Sequence, residues 1–437
     1  MASRSVGSGA AIDGALGERV RAARKALGMS QAQLAGEELT KGFISQLESG
    51  QVRPSIRSLQ VIASRLGKPL EYFLGDEPLA AAKRVAFHRL AAETAAEQHD
   101  WGATREHVDR GLEQAADALE RARFLQLRAQ TELAAGAHER AFDVIAQALS
   151  GLDVAADPQL VASLLYLRGA AYGEVGQVTA ATESLEAARD GIERYEVIDP
   201  RLRSRVLIAL GTAYRRLRRS SKAITSYESA LAAASRSSEL SLAARGYMGI
   251  AAAHYDSGEL DAAISSYQRA LELFRRVSDI DFELNALQSI AAVQLENGQV
   301  EHARLSAQRA MARALEVGSE RWAAVAEAIL ARVALKQGDA EASLKAARHA
   351  EKTLARSDDR IQHADAVGAV GAALEALGRS SDADSAYRRS IEMYTAVGDL
   401  ADRSGMAAEY ARVLKARGDM NAAFDMLELA RGALAGR

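Results

Sequence analysis

Glycines at positions 136, 176, 258, 298, 338, 378 and 418 recur every forty residues, with one doubled gap of 82 in which Arg218 stands where a glycine would be expected. Five residues after each of these eight positions comes a small side chain: Ala141, Ala181, Ala223, Ala263, Ala303, Ser343, Ala383 and Ala423. Seven residues further on comes another: Ala148, Ala188, Ala230, Ala270, Ala310, Ala350, Ser390 and Ala430. A period of this length marks a repeated supersecondary unit. Small residues seven apart lie two turns apart on one helix face and let a neighbouring helix approach closely. A glycine between two amphipathic stretches accepts the left-handed backbone that ends a helix. Each unit therefore reads as a helical hairpin.

Only five prolines occur in 437 residues, and Pro54, Pro69 and Pro78 precede the repeats, which leaves the long remainder almost free of helix breakers. Roughly 360 residues cannot share one hydrophobic centre, whereas stacked hairpins bury a continuous core between neighbours. The expectation is an all-α chain. It should contain a linker and a degenerate first hairpin over residues 76–117, followed by eight repeats over 118–437. The last repeat has no polar helix to cover it, so its apolar face, with Phe424 and Leu427, is open to self-association.

Leu210-Gly211-Thr212-Ala213-Tyr214 with Ala223, Tyr227 and Ala230, and Gly169-Ala170-Ala171-Tyr172 with Ala181, Leu185 and Ala188, resemble tetratricopeptide repeats. The period of forty exceeds the usual one of about 34, which implies helices a few residues longer. The resemblance implies a right-handed superhelix of about nine hairpins whose concave surface is lined by the first helix of each. On that mapping Arg205, Arg245 and Asn285 share one slot, forty apart. Arg215, Arg216, Tyr255 and Asp256 fill a second pair of slots, and Tyr166, Met248 and Gln288 lie on the same wall. Guanidiniums bind carboxylates bidentately and amides pair with peptide backbone, so this ladder is a candidate peptide-binding wall. The same arginines also suit a solvated face, paired with nearby Glu and Asp.

Ahead of the repeats, a Gly- and Ser-rich stretch over residues 1–13 reads as a disordered arm. Residues 14–75 then carry a different pattern. Two short helices begin at the hydroxyl N-caps Ser30 and Thr40, and the second closes at Gly50, which is the spacing of a helix-turn-helix. Leu16, Val20, Ala23 and Leu27 share one face of a preceding helix; Leu59, Ile62, Ala63 and Leu66 share one face of a following helix. Leu34 and Ala35 would meet Ile44 and Leu47, leaving Lys41, Gly42, Phe43, Ser45 and Gln46 to point outward. Nine Lys and Arg against five Glu and no Asp between Gly14 and Gly75 give a net +4 in a chain of net −3. The basic excess sits where the motif sits.

DNA chemistry assigns these residues roles. Gln31, Gln51 and Arg53 suit phosphates, which position without specifying. Lys41 can approach guanine acceptors, Gln46 an adenine edge and Phe43 a thymine methyl, while Gly42 lets the backbone come close. Phe43 also lies one turn before Leu47, where it could be partly core, and Lys41 could be a solvated first-turn charge.

Ser30-Gln31, Ile44-Ser45 followed by Glu48 and Gly50, and Arg53-Pro54-Ser55 leading to Leu59, Ala63, Leu66-Gly67 and Tyr72-Phe73-Leu74 resemble the Cro/CI (Xre) family of DNA-binding domains. The resemblance implies a five-helix, lambda-repressor-like domain and a structural ion pair between Arg24 and Glu48. The turn Gly36-Glu37-Glu38-Leu39 departs from the family pattern. It lacks the usual glycine before the recognition helix and is one residue short.

Other chemistry is thin. The chain has no cysteine, which excludes disulfides, Cys-ligated zinc and a Cys nucleophile. The eight histidines are scattered, no phosphate-binding loop occurs, and no nucleophile and base can be paired, so neither metal, cofactor nor enzymatic activity is expected. No signal peptide or membrane-length apolar run is present, and a cytoplasmic location is expected. Head plus repeats resembles the RRNPP group of peptide-responsive bacterial regulators. The resemblance implies a sequence-specific transcriptional regulator that binds a double-stranded operator as a homodimer, its repeats sensing a peptide or protein ligand. The alternative is an interaction scaffold whose repeats hold a protein partner and whose head is only a docking module.

Overall fold

The computed structural model of the chain describes residues 8–36, 38–52, 54–68, 72–73, 81–237 and 239–435. Arg53, Glu37 of the helix-turn-helix turn, Leu74 and Gly75 of the expected head, and residues 76–80 of the expected linker lie outside them, as do residues 1–7 of the expected arm. Among the described residues all regular structure is α-helical. The chain divides into two compact units, residues 1–134 and 135–437.

The first unit holds α1 (Ser8–Ala26), α2 (Gln31–Ala35), α3 (Lys41–Glu48), α4 (Ile56–Leu66), α5 (Ala81–Glu97), α6 (Trp101–Gln114) and α7 (Ala118–Ala134). Residues 72 and 73 are also helical, where the fifth head helix is expected; the rest of that segment lies outside the described residues. Helix α1 starts at Ser8, within the stretch expected to be a disordered arm. Ser30 caps α2 with a full capping box to Gln33, and Thr40 caps α3 by accepting from the Phe43 amide. Val20, Ala23, Leu34, Ala35, Ile44, Leu47, Leu59, Ile62, Ala63 and Leu66 form the head core, as their spacing predicts. Leu27 is an exception: α1 stops at Ala26 and Gly28 turns the chain at φ 66°, so Leu27 is 56% exposed. Gly17 permits the crossing of α1 over α3, since a Cβ there would stand 2.4 Å from the Leu47 carbonyl oxygen. Phe87, on α5, is also buried in the head core, so the first hairpin contributes a side chain to the packing of the head.

The second unit runs through α8 (His138–Ser150), α9 (Pro158–Glu174), α10 (Val178–Arg194), α11 (Pro200–Arg216), α12 (Ser220–Ser237), α13 (Leu240–Asp256), α14 (Leu260–Arg276) and α15 (Ile280–Glu296). It continues through α16 (Val300–Glu316), α17 (Glu320–Lys336), α18 (Ala340–Leu354), α19 (Arg360–Ala376), α20 (Ser380–Ala396), α21 (Leu400–Ala416) and α22 (Met420–Ala435). Within this unit α9 to α22 make seven pairs in chain order, the tetratricopeptide-type solenoid implied by the repeat. The period of forty has a simple origin in α13 and α14, which are 17 residues each and are each followed by a three-residue turn.

All sixteen small residues of the repeat are buried, from Ala263 and Ala270 at 0% exposure to Ala430 at 8%. They form the contact between helices, while larger side chains such as Tyr267, Leu271 and Phe274 fill the space between hairpins. The turn glycines take left-handed backbone, as at Gly258 (φ 77°) and Gly338 (φ 87°), and Arg218 takes the same conformation at φ 57°. The bonds around it match those of a glycine turn: the Arg218 amide donates to the Arg215 carbonyl and the Arg219 amide to the Tyr214 carbonyl, each at 2.9 Å. Phe424 and Leu427 of α22 are 61% and 51% exposed.

Candidate DNA-reading face and repeat groove

The sequence of α3 places Ile44, Leu47 and Glu48 inward and Lys41, Gly42, Ser45 and Gln46 outward in solvent, while Thr40 and Gln51 flank the helix, also exposed. Phe43 is half-buried against the head core, so its ring is shared between packing and surface. Arg24 on α1 fixes this helix by donating to both Glu48 carboxylate oxygens, Nε to Oε1 at 2.5 Å and Nη2 to Oε2 at 2.9 Å, and it also donates to the Met29 carbonyl. Both partners are buried. Burial alone would raise the Glu48 carboxyl, but hydrogen bonds from Arg24 and Gln31 hold it below its ordinary range. The Gln31 side-chain amide donates to Glu48 Oε2 at 2.9 Å, so it braces α3 instead of standing free for phosphate. The short turn has a brace of its own. Arg65 on α4 donates to the Leu34 and Ala35 carbonyls and pairs with Glu38.

In the second unit the inward faces of α13, α15, α17, α19 and α21, together with Tyr267 and Tyr394, line a cavity of about 810 Å3. These are first helices of their hairpins. Of the ten residues expected on a peptide-binding wall, Tyr255, Asn285 and Gln288 line it. The Tyr255 hydroxyl donates to Glu296 at 2.6 Å, and the Gln288 amide donates to the Trp322 carbonyl at 3.1 Å. The other seven do not line it. Arg215 pairs with Asp256 at 2.9 Å, Arg216 donates to the Gly173 carbonyl, and Met248 is half-buried beside the hairpin core. Arg205 stacks over Tyr166 at 4.9 Å and Arg245 over Phe282 at 4.6 Å, each guanidinium without a carboxylate partner among the described residues.

The rest of the lining lies further along the same period. The slot of Phe282 continues as Trp322, Gln362 and Asp402, that of Asn285 as Val325, Asp365 and Gly405, and that of Ala292 as Arg332, Ala372 and Arg412. Carrying the ladder forward by forty from Asn285 reaches Val325, Asp365 and Gly405, whereas the other two slots begin at residues outside the expected ladder. The lining changes character along the unit, with amides and tyrosines on α13 and α15 giving way to charges on α19 and α21. Arg332 is paired with Asp365, whose negative charge raises its pKa. Burial within the groove and the like charges of Asp399 and Asp365 push Asp402 up to about 6. Among the described residues no group of three or more His, Asp and Glu is placed to hold a metal ion, and no helix is long and apolar enough to cross a membrane.

The helix-turn-helix family matches residues 20–73, and the tetratricopeptide repeat family matches residues 204–236 and 244–276. No curated protein matches the sequence. Among solved structures, a Rap protein complexed with Competence and Sporulation Factor matches with a TM-score of 0.61 at 14% identity, over 82% of this chain and 99% of that one. The apo form of the quorum sensor NprR from B. thuringiensis matches with a TM-score of 0.59 at 15% identity, over 88% of this chain and 98% of that one. The Rap conjugation gene regulator of plasmid pLS20, in complex with the Phr* peptide, matches with a TM-score of 0.52 at 16% identity, over 80% and 95%. At these identities the likeness concerns the fold.

Proposed function

We propose that this chain, an Xre-type helix-turn-helix joined to tetratricopeptide repeats, is a DNA-binding transcriptional regulator whose repeats sense a short peptide. The observation that carries the DNA-binding half is α3 itself. Lys41, Ser45 and Gln46 stand exposed on a helix held by a buried ion pair, in a region of net +4. Lys41 and Gln46 read base edges; Gln51 and Arg53 hold phosphates beyond the helix; Thr40 caps it, and Gly42 and Ser45 allow close approach to the groove floor. Phe43 contributes only the edge left outside the core.

The groove supports the sensing half. It is concave, its volume suits a small ligand, and the structures of similar fold include one bound to a peptide. A single small head binds weakly, so two heads in a homodimer would read half-sites about 34 Å apart, and ligand binding would act on operator affinity through their spacing.

Fluorescence anisotropy with a duplex from upstream of the protein's own coding sequence tests the first half. Lys41→Ala and Gln46→Ala should each weaken binding by about 1–3 kcal/mol on that duplex and by much less on unrelated DNA. Equal losses on both duplexes would reduce these residues to nonspecific contacts, and no loss on either would remove α3 from the interface.

A further inference from the structure

Where the first hairpin meets the head, two histidines touch that neither the DNA-reading face nor the groove uses. His88 on α5 and His107 on α6 face each other through the same ring atom, Nδ1 to Nδ1 at 3.2 Å. His88 is 8% exposed and His107 is half-buried. The chain neighbour of His88 is Phe87, whose ring meets both imidazoles edge-on, its centroid 5.0 Å from that of His88 and 5.9 Å from that of His107. The same Phe87 is buried in the head core with Leu66 and Phe73. One contact between two rings thus sits directly behind the side chain that the hairpin lends to the head.

Imidazole chemistry sets what this contact tolerates. A neutral ring has one N–H and one bare nitrogen, so between two neutral rings one Nδ1–H donates to the lone pair of the other Nδ1. One added proton keeps the bond, because an imidazolium donates to the remaining neutral ring and does so more strongly. A second added proton turns two N–H groups against each other and puts like charges on rings whose centres are 5.5 Å apart, with His88 shut off from water. The folded pair therefore accepts one proton and resists the second, whereas in the unfolded chain both rings charge independently.

The charged groups of the surrounding elements are engaged. On α5, Arg84 donates to Gln114, and Arg89 pairs with Glu93 and with Glu120, which also takes Arg123. On α6, Arg110 pairs with Glu106, Arg105 with Glu132 of α7, and Asp109 with Arg128 of α7. From the head, Arg19 donates to the Phe73 carbonyl. Carboxylates and guanidiniums ordinarily change charge well below and well above the histidine range.

We propose that His88 and His107 form a proton-operated latch: the pair seats Phe87 in the head core while it carries one proton or none, and uptake of the second parts α5 from α6 and loosens that seat. The latch lies outside the groove, and its action on head packing does not depend on what α3 reads.

Nuclear magnetic resonance of the full-length protein labelled with 15N at histidine reads the protons directly, the two rings being assigned with His88→Gln and His107→Gln. As pH falls from 8 to 5, the pair should take up one proton shared between its rings, the second entering only as the head amides lose protection. Two rings that each gain a proton independently, with the head unchanged, overturn the latch.

Hydrogen exchange followed by mass spectrometry reads the consequence. Glutamine at position 107 offers an oxygen to a charged His88 and an N–H to a neutral one, so His107→Gln keeps the contact in both states. Exchange of the α4 amides should be equal in wild type and His107→Gln at pH 7.5 and about ten-fold faster in wild type at pH 5.5, since one proton bound only on opening shifts that equilibrium ten-fold per pH unit. Phe87→Ala should exchange fast at both pH values. Equal exchange in wild type and His107→Gln at pH 5.5 overturns the latch, and wild-type protection in Phe87→Ala removes the route from the histidines to the head.

Discussion

Helices α1 and α3 of the head meet through a buried ion pair, Arg24 to Glu48, whereas the helices of the repeat hairpins meet through alanines such as Ala263, Ala270 and Ala303, which carry no polar side-chain atom. The difference concerns what each contact has to fix. A charge pair taken out of water is worth keeping only in good geometry, so it holds α3 in one orientation under the side chains that would read DNA. Small apolar contacts demand only closeness. They repeat unchanged every forty residues while the groove face varies freely, so Phe282, Trp322, Gln362 and Asp402 can share one slot with four different chemistries.

Breaking the head's contact should have the largest effect. Glu48→Ala leaves Arg24 buried without its partner and should cost about 3–5 kcal/mol of head stability, measured by thermal unfolding of the full chain with a near-DNA fluorescent probe on the head. The linkage has a definite sign. Because the folded Glu48 carboxyl lies below its ordinary value of 4.5, its contribution is fully present above that pH and is lost as pH falls through the lower folded value. Acid titration should show that loss in wild type, and Glu48→Gln should not. A head as stable in Glu48→Ala as in wild type would make the ion pair incidental.

The repeat contact should fail in the opposite way, by addition. Ala270→Leu pushes three heavy atoms into a position with no exposed surface and should cost about 1–3 kcal/mol in the second unit, seen in urea unfolding. No cost would mean that these helices are free to separate. At the turn, Arg218→Gly relieves a left-handed backbone that disfavours a side chain, partly offset by the freer unfolded chain, and should raise the unfolding midpoint by an amount equivalent to up to about 1 kcal/mol. A fall would show that the guanidinium itself stabilises the turn. Smallest of all, Lys41→Ala should change stability by no more than about 0.5 kcal/mol while weakening DNA binding.

Most of the fold was legible because its causes are local or periodic. Ser30, Thr40 and Gly67 announce helix ends, and the eight turn positions, Arg218 included, mark the hairpins by spacing alone. What was not legible depends on contacts across the chain. Phe87 lies outside the helix-turn-helix motif but reaches its core, and Arg65 braces a turn some thirty residues earlier, which no spacing rule shows. Gln31 looked free for phosphate because its partner Glu48 is on another helix. In the groove the ladder was read only as far as Asn285. Arg215, in an earlier repeat, is neutralised by Asp256, and the lining charges Asp402 and Arg412 lie three repeats beyond Asn285.

The central claim, that α3 reads DNA sequence, is tested most directly by selection from random duplexes with wild type and Gln46→Ala. The expected result is a wild-type motif with two related half-sites about one helical turn apart, and a Gln46→Ala motif that has lost its preference at one position in each half-site. Identical motifs from the two proteins, or no enriched motif from wild type, would contradict it.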